Sequence, residues 1–168
     1  MKSAIVLFVF LGISAWSAEP VPVHVTLKNA QGADVGTAQL TQKSKGVQLQ
    51  ITAKGLPPGL KGIHIHETGK CDPPDFKSAG AHYNPKQTEH GRLNPKGAHL
   101  GDLPNLEIQA DGRGDLKFMT AGATLRENSL RKAGGTAIVI HAGPDDLSSD
   151  PAGGSGDRIA CGVISELR

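Results

Sequence analysis

Two histidines stand two residues apart in the stretch Gly62-Ile63-His64-Ile65-His66, each preceded by an isoleucine. In an extended chain side chains alternate between faces, so both imidazoles project from one side and both isoleucines from the other. Such a pair is either polar decoration on a strand or half of a metal site, and the remaining histidines decide between the two. The chain has seven histidines. His24 falls on the polar phase of an alternating segment and reads as surface. The others, His64, His66, His82, His90, His99 and His141, lie in two long loop segments or at the strand ends leading into them. His82, His90 and His99 share a loop with Asp102, three residues beyond His99. Three imidazoles and a carboxylate complete a tetrahedral zinc set with no open position, which suits a structural ion ordering a loop that lacks an apolar run. His64, His66 and His141 form a second group of imidazoles alone, and such sites suit copper, which outranks zinc in the affinity order. Hydrolytic zinc sites also use His-x-His, but they need a general base, and Glu67, directly after His66, points to the opposite face of the strand.

The elements that must carry these residues show a period of two. Val21, Val23, Val25 and Leu27 alternate with polar neighbours, as do Val47, Leu49 and Ile51. Residues 105–109, 115–119, 136–141 and 160–165 are further short apolar or alternating runs. Turn signals separate them, among them Gln31-Gly32, Pro57-Pro58-Gly59, Asp111-Gly112 and Gly134-Gly135. About eight strands follow, with no helix of ten residues and at most a helical turn around Glu127–Lys132. The expected fold is all-β, an eight-stranded antiparallel sandwich or barrel. Two segments break the rhythm, from about Thr68 to Asp102 and from about Ala142 to Asp157, and loops of that length in a small domain usually carry function.

Composition bounds the rest. With 168 residues and 38% hydrophobic content the chain supports one domain with a real core, and with 4% aromatics that core must be aliphatic. A net charge of +2, with no basic run, excludes nucleic acid as a natural partner. Residues 1–17 read as a secretory signal peptide: Lys2, an apolar run from Ala4 to Ile13, then Ala15-Trp16-Ser17 as a small-x-small cleavage site. That run is too short to span a bilayer, and no cysteine is near it to take a lipid, so no stable membrane anchor is expected. The mature domain is then 18–168, exported to a periplasm or the extracellular space. Export gives the two cysteines, Cys71 and Cys161, a disulfide as their default state. It would close a loop of about 90 residues, worth roughly 4–5 kcal/mol in the chain-entropy view.

The segments "GIHIHETGKC", "SAGAHYNP", "HGRLNPKGAHLGDLP", "IVIHAGPDDL" and "DRIACGVI" together resemble the copper/zinc superoxide dismutases, in the family's order and across nearly the whole mature chain. The resemblance implies a Greek-key arrangement of the strands. It also implies copper held by His64, His66, His82 and His141, and zinc held by His82, His90, His99 and Asp102, with His82 shared between the metals. By the same resemblance Arg158 would hold the superoxide anion, and Asp145 would link a copper histidine to a zinc histidine from outside. Cys71 and Cys161 match the family's disulfide. The implied reaction converts superoxide into oxygen and hydrogen peroxide at copper, with His82 as the proton carrier. The loop between His141 and Arg158 departs from the animal cytosolic enzymes: it is shorter, with four aspartates and no lysine. Its contribution to guiding an anion is therefore weaker. The signal peptide and the segment "CDPPDFKSAG" are closer to exported bacterial members. Monomers and homodimers both occur on this core. Two other readings stand beside this one, a metal-binding protein without turnover and a zinc hydrolase built on His64 and His66.

Overall fold

The computed structural model of the protein describes residues 21–167. The expected signal peptide over residues 1–17 lies outside them. The strands in chain order are β1 (Val23–Asn29), β2 (Asp34–Lys43), β3 (Gly46–Ala53), β4 (Gly59–Lys61), β5 (Ile63–His66), β6 (Leu106–Ile108), β7 (Gly114–Ala121), β8 (Thr136–His141) and β9 (Arg158–Ile164). Nine strands stand where eight were expected, because β4 and β5 are one extended segment interrupted at Gly62. A Cβ on Gly62 would lie 2.4 Å from Ser155 Oγ, so only glycine lets the Ala142–Asp157 loop pass this close. The turn at Glu127–Lys132 is not helical; the one short 3₁₀ turn among the described residues is Lys77–Ala79, inside the first long loop.

Seven strands make one antiparallel sheet in the order β5-β8-β9-β1-β2-β3-β7. The pair β4–β6 forms a small second ribbon. Since β4 runs into β5, and β6 packs beside β7, that ribbon joins the two edges of the large sheet and curls it into a half-barrel. The interior is aliphatic, as the composition requires: Leu27, Leu40, Leu49, Ile51, Ile63, Ile65, Ile138 and Ile140 are all fully buried in one cluster. Each such side chain is worth about 1.5–3 kcal/mol of transfer from water.

The two strands that matter most for function are buried on both faces. Alternation sends Ile63 and Ile65 of β5, with Ile138 and Ile140 of β8, into the barrel. The opposite face carries His64 and His66, paired in register with Val139 and Ala137, and then His141. Ala137 and Val139 are covered there by Phe76, Ala79 and Cys161, a second apolar cluster beneath the first long loop. The histidines therefore project from the outer face of the barrel into a space roofed by loops.

Candidate metal centre

The first long loop reaches this space by pairing with the free edge of β5. Ile65 donates its N–H to Gly101 O (2.9 Å), Tyr83 donates to Ile65 O (2.8 Å), and Gly101 donates to Tyr83 O (2.9 Å). Two passes of the loop are thereby laid along the strand, opposing Asp102 to His64 and His82 to His66. His141 arrives from the neighbouring strand, at a register shift where β8 meets Arg158 of β9. Residues distant in sequence converge because one strand edge and one strand end offer backbone partners.

Four imidazoles form the first cluster. One ring nitrogen each from His64, His66, His82 and His141 lies within 4.8 Å of all the others. His64 donates its Nε2–H to Asp145 Oδ2 at 2.8 Å, His66 its Nδ1–H to Gly80 O at 3.0 Å, and His141 its Nδ1–H to Gly156 O at 3.0 Å. A ring whose proton is committed on one nitrogen presents a lone pair on the other. Those other nitrogens, His64 Nδ1, His66 Nε2 and His141 Nε2, are buried and have no hydrogen-bond partner. Unpartnered buried acceptors are rare and costly, and a cation satisfies all three together. Burial also keeps the rings neutral, as metal ligands must be: it lowers His64 to about 3, His66 to about 2 and His141 to about 4.

The second cluster gathers on one carboxylate oxygen. Asp102 Oδ1 lies 3.2 Å from His82 Nδ1, 3.1 Å from His90 Nδ1 and 3.3 Å from His99 Nδ1. Its other oxygen is occupied by backbone, accepting from Gly91 N (2.9 Å) and His99 N (3.0 Å). The loop thus aims Oδ1, and three Nδ1 atoms with it, at one point. Burial alone would raise Asp102, but hydrogen bonds from His82 and His90 hold it well below the carboxylate range. His64 and His82 fall within reach of both groupings; with His82 Nδ1 at Asp102, its Nε2 is the nitrogen on the side of the first.

Asp145 ties the clusters from behind. Its Oδ2 holds His64, its Oδ1 accepts from His90 Nε2 at 3.0 Å, and its own backbone is clamped by the Asn105 amide, which donates to Asp145 O and accepts from Asp145 N, both at 2.8 Å. Gly153 (φ 62°) closes over this bond, since a Cβ there would lie 1.8 Å from Asp145 Oδ1. His90 sits between two carboxylates. Burial opposes its charge, but Asp102 and Asp145 outweigh that and raise it to about 9 when no metal competes.

Arg158 opens β9 and donates from Nη1 to Phe76 O and from Nη2 to Gly80 O, both at 2.8 Å. Gly80 O thus holds both Arg158 and His66. The Cys71–Cys161 disulfide, spanning 90 positions, fastens the loop that supplies these carbonyls to the strand that carries Arg158. An open cleft of about 480 Å³ lies over Arg158, with Asp75, Lys77 and Asp157 also in its wall. Of the residues the sequence marked, His64, His66, His82 and His141 fall in one grouping and His64, His82, His90 and Asp102 in the other; His99 stands beside the second, Nδ1 3.3 Å from Asp102 Oδ1, while His24 is exposed and apart. The residues sequence reasoning missed are Asn105, Gly153, Phe76 and Asp150, whose Oδ1 accepts from His90 N at 2.6 Å. Among them only Gly153, in a Gly-Gly pair, carried any signal, that of a tight turn.

A curled β-sheet bearing two adjoining, overlapping histidine-rich donor sets defines a protein built to hold metal. The sequence pattern of the family described as copper/zinc superoxide dismutase (SODC) matches residues 35–164. Superoxide dismutase 1 (Cu-Zn) of Aquifex aeolicus (strain VF5) is 48% identical over 151 residues, 88% of this chain and 89% of that protein. The crystal structure of a SOD-like protein from Bacillus subtilis superposes with a TM-score of 0.80 at 42% identity, over 84% of this chain and 97% of that one. The Cu/Zn superoxide dismutase from Brucella abortus does so with a TM-score of 0.68 at 31% identity, over 86% and 100%. The chain belongs to the copper/zinc superoxide dismutase family. Its two donor sets fit the copper and the zinc of the family's name.

Proposed function

We propose that this protein is an exported enzyme that dismutates superoxide, with copper held by His64, His66, His82 and His141 and zinc held by His82, His90, His99 and Asp102. The observation that carries the reading is the trio of buried, unpartnered imidazole nitrogens on His64, His66 and His141, in a chain of this family. Copper, when bound, supplies a one-electron couple, so that two superoxide anions and two protons give one oxygen and one hydrogen peroxide. The protein's part is to bind the anion and to move a proton. Arg158, oriented by two carbonyls, presents its remaining N–H groups to a small anion. His82 Nε2 is the site where a proton would be held and handed to the departing peroxide, Nδ1 being the nitrogen on the side of the zinc set. The zinc set orders a loop that has little apolar material of its own. Asp145 fixes the orientation of His64 and His90 together, which keeps the two halves in register.

Export is supported by the N-terminal apolar segment and by the disulfide, which persists in oxidising compartments. The deciding experiment loads the purified protein with copper and zinc, measures metal per chain, and follows superoxide decay by pulse radiolysis. One copper and one zinc per chain with rapid decay is the expected result. Full binding without turnover would instead make it a metal-binding protein. His64→Ala should abolish copper binding and activity while retaining zinc, and surviving activity would overturn the copper assignment.

A further inference from the structure

The cleft over Arg158 is lined by no member of either donor set. A separate cavity of about 360 Å³, open to solvent, has His99 and Asp102 in its wall. Phe118 and Thr120 of β7 also line it, and so does Arg92 from the first long loop. The guanidinium carbon of Arg92 lies 4.4 Å from the centre of the Phe118 ring, so this side chain reaches from the loop across to the sheet. We infer that this cavity is the way zinc enters and leaves its half of the centre, and that Arg92 stacked on Phe118 is the strap that sets the rate. The inference rests on the assignment of His82, His90, His99 and Asp102 to zinc.

Exchange of a closed four-ligand ion requires one ligand to turn away, and the four differ sharply in how firmly they are held. His90 is fully buried and fixed at both ring nitrogens and at its backbone N–H by Asp102, Asp145 and Asp150. Asp102 is locked by two backbone donors. His82 is held through Nδ1 at Asp102 and lies stacked on His64, within reach of both groupings. His99 is tied by its backbone N–H to Asp102, but its ring is the least held of the three imidazoles: Nδ1 approaches Asp102 Oδ1 at 3.3 Å without a hydrogen bond, and Nε2 stands 4.0 Å from Asp150. It is also the only imidazole that lines the cavity. His99 is therefore the ligand that swings, and the cavity is the space it swings into. Arg92 is not a member of the donor set, so loosening its stack raises the open fraction of the filled and the empty site alike. Uptake and release must then change by the same factor. Losing an exposed guanidinium–ring contact corresponds to about a two- to fivefold change in the open fraction.

The test follows transfer of zinc from the copper- and zinc-loaded protein to an excess of a chromogenic chelator, with copper transfer read in parallel and zinc uptake by the zinc-depleted protein as the reverse rate. Arg92→Ala and, independently, Phe118→Leu should each speed zinc release and uptake by about two- to fivefold, with copper release unchanged. Unchanged zinc rates in both variants would overturn the inference, and so would a parallel rise in copper release, which marks general loosening of the loop. The underlying assignment fails in a different way: His99→Ala would keep one tightly held zinc per chain.

Discussion

Arg158 combines a fixed charge with little freedom to move, because two of its N–H groups are spent on the carbonyls of Phe76 and Gly80. Truncation to alanine removes the anion's partner and leaves every imidazole in place. For Arg158→Ala the expectation is intact copper and zinc, a fall in kcat/KM of about 10- to 100-fold, the range of one hydrogen-bonded charge contact, and weaker inhibition by small anions. Pulse radiolysis and metal analysis check it, and unchanged kinetics would remove Arg158 from the site. At this scale the sequence was legible wherever chemistry restricts residue type. With both cysteines tied in a disulfide, imidazoles and carboxylates are the groups left for these metals, so six histidines and Asp102 stood out by identity and spacing, and Asp145 through the family resemblance. The groups that hold them in place did not. The carbonyls of Gly80 and Gly156 carry no type at all. Asn105 acts on Asp145 through a clamp that only the folded backbone brings together.

Between residue and molecule stands the loop fastened by Cys71–Cys161. Phe76 is its anchor, 2% exposed and packed on Ala137, Val139 and Cys161, while its carbonyl and that of Gly80 orient Arg158. Cys71→Ser should therefore do two separable things. Thermodynamic stability should fall by about 2–5 kcal/mol in denaturant titrations, as for native disulfides of small exported domains. Activity per bound copper should also fall under conditions where the variant remains folded, because the Arg158 carbonyl partners move with the released loop. A loss of stability with full activity per copper would show that Phe76 holds the loop alone. Strand periodicity made most of the sheet readable in advance, since the barrel interior accepts only one phase of each strand. What it did not give was the break at Gly62 or the loop passes pinned to the edge of β5. Both depend on partners far away in sequence, Ser155 for the first, Tyr83 and Gly101 for the second.

The molecule as a whole stores a conflict that metal resolves. Without metal, His64, His66 and His141 stay neutral in the folded state down to about 3, 2 and 4, whereas in the unfolded chain each takes up a proton near its ordinary value of 6.5. Between those limits the unfolded state binds more protons, so folding stability falls as pH drops below about 6.5, by up to roughly 1.4 kcal/mol per pH unit for each group. Asp102 and Asp145, both held below the carboxylate range mainly by histidine hydrogen bonds that overcome their burial, extend the loss further into acid. His90 works in the opposite sense: raised to about 9 by the same two carboxylates, it contributes stability below 6.5 that disappears as pH rises toward 9. The metal-free protein should accordingly be most stable close to neutrality, with a steep fall between pH 6.5 and 4 and a shallower one on the alkaline side. Copper and zinc occupy the nitrogens that protons would otherwise seek, so the loaded protein should hold a flat profile until acid strips the ions. Urea midpoints measured across this range for both forms decide the matter. Parallel curves would mean that the buried imidazoles are not the groups in conflict. Divergence beginning near pH 6.5 would identify the unpartnered histidine nitrogens as the instability that metal binding removes.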